Sequence, residues 1–255
     1  MSSNSSSFIA AAALSVSLSA ASLSATAADD ARCTVRSGAL RTPVVELYTS
    51  EGCNSCPPAD RWLSRLNAGP DAVLLAFHVD YWDRLGWKDR FASPAYTQRQ
   101  QQAQASSGAG FSYTPQVIVD GADRKDWPRI AWPLASNDRP QAKVDATLTR
   151  DDDRHFVATV TPRPGAPARL AAYWAWTEDG HSSAVKAGEN EGATLHHDRV
   201  VREYRSAAPW RSADGTATLR FEPTIARDPA HPASVNLVIV DADSGRPVQA
   251  LRLGC

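Results

Sequence analysis

The sequence predicts an α/β domain followed by an all-β, sandwich-like domain. Two observations carry this. Between residues 42 and 80, an apolar β-branched run, a helix-forming segment and a second apolar run follow one another, the order of a βαβ unit. Beyond residue 141, short β-branched runs alternate with turn signals, the pattern of an antiparallel sandwich. The expected boundaries are 42–136 for the first domain and 141–255 for the second, with the polar Asn137-Asp138-Arg139-Pro140 as linker.

Two segments precede these domains. Phe8 to Val16 is apolar but too short to span a bilayer as a helix, and Ala25-Thr26-Ala27 fits a signal-peptidase site. Residues 1–27 are therefore read as a signal peptide, although Met1 to Ser7 has no Lys or Arg, and residues 28–41 as an N-terminal extension. The expected location is periplasmic or secreted, with no membrane span left after cleavage. A formal charge of -1 over 255 residues argues against nucleic acid as a partner.

The first strand is expected over residues 42–48. A helix follows from Cys56, because Pro57-Pro58 suits a first helical turn, where the missing N–H has no partner to lose. Asn67-Ala68-Gly69-Pro70 ends it. Residues 72–80 are almost continuously apolar, as in a strand buried on both faces. After an aromatic, charged loop comes a helical region through 96–103, then Thr114-Pro115 and a strand over 116–119. In the second half, strands are expected at 143–150, 156–161, 170–177, 199–204, 217–221 and 235–240.

The chemistry sits at Cys53-Asn54-Ser55-Cys56. Two thiols at a helix N-terminus meet orphan N–H groups and the positive dipole end, which favour thiolate. A second sulfur three residues on is what dithiol–disulfide exchange requires. Cys53, ahead of the helix, is expected to be the more exposed and to attack, and Cys56 to resolve the mixed disulfide. A purely structural disulfide is the alternative. Four cysteines allow three connectivities. With Cys53 and Cys56 as the local pair, Cys33 and Cys255 are read as a staple joining the ends of the mature chain, the alternative being two free or capped thiols.

Other polar and aromatic residues invite roles. His78 and Asp80 alternate onto one face near a strand's C-terminal end, as a candidate proton relay or as a hydrogen-bonded pair anchoring the next loop. Tyr81, Trp82 and Trp87 could form an aromatic rim for substrate or could be ordinary packing. His196 and His197 are adjacent, so a strand sends them to opposite faces and makes them poor partners for one ion. Trp174 and Trp176 share a face and read as core.

The stretch from Val45 to Ser50, the Cys53–Cys56 motif and Thr114-Pro115 together resemble the thioredoxin and glutaredoxin superfamily. More closely, Glu51 to Asp60, Phe77 to Asp83 and Tyr113 to Gln116 look like an exported bacterial family described as a domain of unknown function with a thioredoxin-like core. The resemblance runs over roughly residues 42–250. It implies a thioredoxin-like first domain and a cis Thr114–Pro115 bond that faces the cysteines and helps present the substrate backbone; with Tyr81 and Trp82 of the aromatic rim, Thr114 and Pro115 are the expected substrate contacts. It departs from the superfamily at the buried acid six residues before the first cysteine, where this chain has Leu47. Glu46 is one residue off and on the opposite face, so the proton acceptor for Cys56 is unassigned. Glu51, two residues before Cys53, opposes thiolate formation.

Three functions follow as expectations. The first is an exported thiol–disulfide oxidoreductase acting without cofactor on protein or small-molecule thiols and disulfides, with an unidentified redox partner. The second is a copper-binding protein or metallochaperone using Cys53, Cys56 and His78, soft thiolates and an imidazole being suited to Cu(I). The third is a non-catalytic binding module with structural disulfides.

Overall fold

The computed structural model describes Met1, residues 33–66, Gly69, residues 72–134 and residues 139–254. The expected signal peptide beyond Met1, residues 135–138 of the linker region and Cys255 lie outside the described residues. The described elements in chain order are β1 (Thr34–Arg36), β2 (Val44–Thr49), α1 (Pro57–Arg65), β3 (Val73–His78), α2 (Pro94–Ser107), β4 (Gln116–Val119) and β5 (Ala122–Asp123). There follow β6 (Val144–Arg150), β7 (Phe156–Pro162), β8 (Arg169–Glu178), β9 (His181–Ala184), β10 (Thr194–His197), β11 (Val200–Arg211), β12 (Ala217–Phe221), β13 (Ala233–Asp241) and β14 (Pro247–Leu253).

The predicted fold class does not hold. The chain is mostly β, with two α-helices among the described elements, and it is not an α/β thioredoxin-like domain followed by a β domain. One eight-stranded sheet, in the order β14-β13-β8-β11-β3-β2-β4-β5, takes strands from both expected domains. The join is at β3, which pairs in parallel with β2 on one side and meets β11 in parallel on the other, Val200 opposite Ala76. The periodicity of a short apolar run reports that a strand is buried, not which strand lies beside it. The second-half strands therefore do not close into a sandwich of their own. β6, β7 and β12 join β1 in a four-stranded sheet, whereas β8, β11, β13 and β14 extend the long one. β9 and β10 form a separate two-stranded ribbon.

Side-chain alternation decides what covers each face of the long sheet. Tyr48, Phe77, Tyr173 and Ala175 point to the side covered by α2, where they pack with Tyr96 and Ala103. Leu47, Ala76 and Val117 point to the opposite side, against Ala59, Trp62 and Leu63 of α1. Trp174 and Trp176 face the four-stranded sheet and pack with Leu148, Phe156, Val160 and Phe221, so their reading as core holds. Burying a large side chain of this kind is worth about 1.5–3 kcal/mol.

Glu46, expected to face away from the dithiol, faces the α2 side. It accepts hydrogen bonds from Tyr48 Oη at 3.1 Å and from Tyr173 Oη and Arg99 at 2.5 Å each. Arg99 also lies over the Tyr173 ring, 4.2 Å from its centroid. This buried charge is neutralised by its neighbours, as the low local dielectric demands.

Candidate functional site

β2 delivers the chain to the site and α1 carries it away. Between them, Cys53 N–H donates to Ser50 O at 3.2 Å and Cys56 N–H to Cys53 O at 3.2 Å, closing two tight turns. Cys56 is the helix N-cap, with Pro57 and Pro58 just inside. Cys53 and Cys56 are joined as a disulfide. Each is 0% exposed, which corrects the expectation that Cys53 would be the more accessible sulfur. Asn54 and Ser55, at the tip of the turn, are the exposed residues of the motif.

The cover comes from the loop between β9 and β10. Asn190 Nδ2 donates to Glu51 O at 2.9 Å and to Cys53 O at 3.0 Å, and Glu189 Oε2 accepts from Asn54 N–H at 3.1 Å. Sequence reasoning missed this clasp because the contact spans more than 130 residues and polar loop residues carry no periodic signal.

Trp82 joins the turn to Thr114. Its Nε1–H donates to Thr114 Oγ1 at 2.8 Å. A Cβ placed on Gly52 would lie 3.1 Å from Trp82 Cβ, so any side chain there would press on Trp82 and push it back by a few tenths of an ångström. The Thr114–Pro115 bond is cis, as expected, and Trp132–Pro133 is a second cis bond that the sequence reading did not foresee. Tyr81 and Trp82 are half-buried beside each other, with ring centroids 6.5 Å apart. Trp87 instead donates its Nε1–H to Glu51 Oε2 at 2.7 Å.

Beneath the dithiol lies a group of buried ionisable side chains. Asp60 is one helical turn after Cys56, and its N–H donates to Cys56 O at 3.1 Å. Its carboxylate accepts from Thr49 Oγ1 at 3.1 Å. Burial pushes Asp60 above the ordinary carboxylate range, and the His197 and His78 imidazoles only partly counter it. Asp60 is thus a buried acid on the same helix, one turn from Cys56, that the sequence reading did not assign. Its spacing of four residues from Cys56 was the signal available in the sequence.

His78 and Asp80 are not brought together. His78 Nδ1 is 2.6 Å from Asp89 Oδ2, while Asp80 accepts from Thr97 Oγ1 at 2.5 Å and so ties the loop to α2. Asp89 also accepts the Glu51 N–H at 2.9 Å, linking this pair to the dithiol turn. Burial alone would push His78 down, but the charge and hydrogen bond of Asp89 outweigh it and hold the imidazole above its ordinary value. The His78 ring stands edge-on to His197, centroids 4.9 Å apart. Alternation placed the adjacent histidines correctly: His197 is buried and His196 exposed.

Glu51 is fully buried. Burial raises its carboxyl, but the His197 imidazole and the hydrogen bond from Trp87 overcome this and hold it below the ordinary range. Among the described residues no group of three His, Cys, Asp or Glu side chains is disposed to hold a metal ion. In the disulfide state Cys53 and Cys56 have no thiolates to offer a soft metal.

The fold and site define a mostly β protein with a buried Cys-x-x-Cys disulfide at a helix start, set over a buried acid. The chain belongs to the family described as Protein of unknown function (DUF1223), which it matches over residues 44–240. It is similar to the crystal structure of protein AGR_C_4864 from Agrobacterium tumefaciens, with 26% identity, 85% of this chain and 96% of that chain covered, and a TM-score of 0.60. HBP35 of Porphyromonas gingivalis shares the fold at 14% identity, with 85% of this chain and 76% of that chain covered and a TM-score of 0.58. No curated protein matches the sequence.

Proposed function

We propose that this protein is an exported thiol–disulfide oxidoreductase whose redox pair is Cys53 and Cys56. The observation that carries the reading is the disulfide at the start of α1 with the buried carboxyl of Asp60 one turn behind it. A purely structural disulfide needs no titratable group beneath it, and a buried acid is costly unless it is used or neutralised. The local likeness of β2, the dithiol turn and α1 to the thioredoxin superfamily supports the same chemistry, independently of the overall fold. Tyr81, Trp82 and Thr114 border the turn and supply the surface a thiol substrate would meet. The segment ending at Ala25-Thr26-Ala27 supports export to an oxidising compartment, where such a pair operates.

In the oxidising direction, a substrate thiolate attacks Cys53 Sγ and the Cys53–Cys56 bond breaks. The electron pair leaves on Cys56 Sγ, which takes the proton of Asp60. A second substrate thiolate then attacks the substrate sulfur of the mixed disulfide and displaces Cys53 as thiolate, which takes up a proton. Two electrons pass from the substrate to the protein, and the reverse sequence reduces a substrate disulfide.

Paired serine variants test the assignment. Cys56→Ser should accumulate mixed disulfides with a small-molecule disulfide, because attack remains possible and resolution does not. Cys53→Ser should neither accumulate them nor catalyse exchange. Exchange activity retained in Cys53→Ser contradicts the roles given to the two sulfurs.

A further inference from the structure

We infer that His197 is a positioning residue that relays protons between Asp60 and solvent through a small cavity between α1 and β10. This rests on the reading of Cys53 and Cys56 as a redox pair and names the route by which its proton leaves.

Three observations carry the inference. First, His197 is 3% exposed, and neither ring nitrogen has a hydrogen-bond partner. Its Nε2 comes within 3.4 Å of Glu51 Oε1, a charge contact without hydrogen-bond geometry. An imidazole with Nδ1 unpartnered and Nε2 held only by this contact is costly as a purely structural group, because a buried polar atom is normally paired. Second, β10 carries His197 to α1, where it shares a cavity of about 70 Å³ with Asp60. The exposed Arg61, Thr194 and His196 form the outer rim of that cavity, and a water needs only roughly 10–15 Å³ of such space. Third, imidazole can accept a proton on one nitrogen and release one from the other, which a carboxylate between protein and solvent does less directly.

The groups facing His197 suit this task. Asp60 and Arg61 approach from α1, Glu51 from the dithiol turn and His78 from β3. His181 lies opposite in the ribbon, and Asp89 stands behind His78. Reduction of the disulfide draws a proton from Asp60 to Cys56. His197 then protonates Asp60 and is itself reprotonated through the cavity. Reoxidation runs the same route outward, so protons and electrons balance in each direction.

The test is the rate of reduction of the Cys53–Cys56 disulfide by dithiothreitol across a pH series. It compares the full chain with His197→Gln and His197→Ala. Reading the ratio of wild-type to variant rates cancels the reductant's own ionisation. We expect His197→Gln to slow reduction by roughly a hundredfold, the lower end of what a positioned acid–base group contributes, with a ratio that varies with pH. Free imidazole should restore part of the rate in His197→Ala. A ratio near one at every pH, or no rescue in a folded variant, overturns the relay. If neither variant folds, the imidazole NMR titration of His197 in wild-type protein decides: the relay requires its midpoint to differ between disulfide and dithiol states, and an equal midpoint overturns it. Failure of the redox reading looks different, since the wild-type disulfide itself would then not cycle.

Discussion

His78 Nδ1 lies 2.6 Å from Asp89 Oδ2, and both side chains are fully buried. Breaking a buried ion pair by removing one partner costs about 3–5 kcal/mol, because the other charge is left unpaired. Burial raises Asp89, but His78 and the N–H groups of Glu51 and Phe91 overcome this and hold it below its ordinary 3.8. Its contribution to stability is therefore full above 3.8 and lost as pH falls through the lower folded value. His78 is held above its ordinary 6.5, so its contribution is full below 6.5 and lost as pH rises through the higher folded value. Between these limits the pair stabilises most. Asp89→Asn should lower stability by about 3–5 kcal/mol near pH 5.5 and flatten the decline toward about pH 9. Urea midpoints at the two pH values check it. An unchanged decline in the variant contradicts the pairing.

The Asn190 clasp sets access to the dithiol. Its two hydrogen bonds, to Glu51 O and Cys53 O, are each worth about 0.5–1.5 kcal/mol net. Asn190→Ala should therefore raise the rate of reduction by a bulky monothiol about tenfold, 1.4 kcal/mol being a factor of ten. Alkylation and mass measurement of timed samples read the rate. No acceleration would show that the β9–β10 loop does not gate the sulfurs.

Glu46 neutralises Arg99 within the α2-side core and accepts from two tyrosines. Glu46→Leu should cost about 3–5 kcal/mol by stranding the guanidinium. The double variant Glu46→Leu with Arg99→Leu should recover part of the loss. This site is on the face away from α1, so thiol exchange measured well below the melting temperature should be retained. Equal stability of the single variant and wild type contradicts the account of this cluster.

Cys33 directly precedes β1, which pairs with β6, and packs on the same core as Leu253 of β14. Cys33 and β14 thus pack on one core. We predict that Cys33 and Cys255 are bonded in mature protein, closing a loop worth about 5 kcal/mol by chain entropy. Non-reducing peptide mapping checks the pairing, and a Cys33 peptide linked to Cys53 or Cys56 rules it out.

Much of the local structure was legible in the residues. The turn chemistry of Pro57-Pro58 marked the start of α1, and the apolar run before His78 marked β3. The adjacent histidines sorted themselves by alternation, and Trp174 and Trp176 announced a core. What failed was pairing. Nothing local to Ala76 says that Val200 will lie beside it, yet that contact fuses the two expected domains into one sheet. The site shows the same limit. Cys53 and Cys56 lie three residues apart and are legible at once, and Asp60 is within reach of helical spacing. Asn190 and His197 come from a distant hairpin and enter only when the ribbon folds onto α1. Pro247 at the start of β14 hid that strand, because proline argues against a strand interior while being tolerated at its first residue.

Equilibration of purified protein across a series of thiol–disulfide redox buffers reads directly whether Cys53 and Cys56 form a functional redox couple. Free thiols are trapped at each point and located by peptide mass. The expected result is one reversible two-electron transition confined to the Cys53–Cys56 peptide, reached from the oxidised and the reduced side alike. A Cys53–Cys56 bond that stays closed throughout in native protein, or opens only as the protein unfolds, would contradict it.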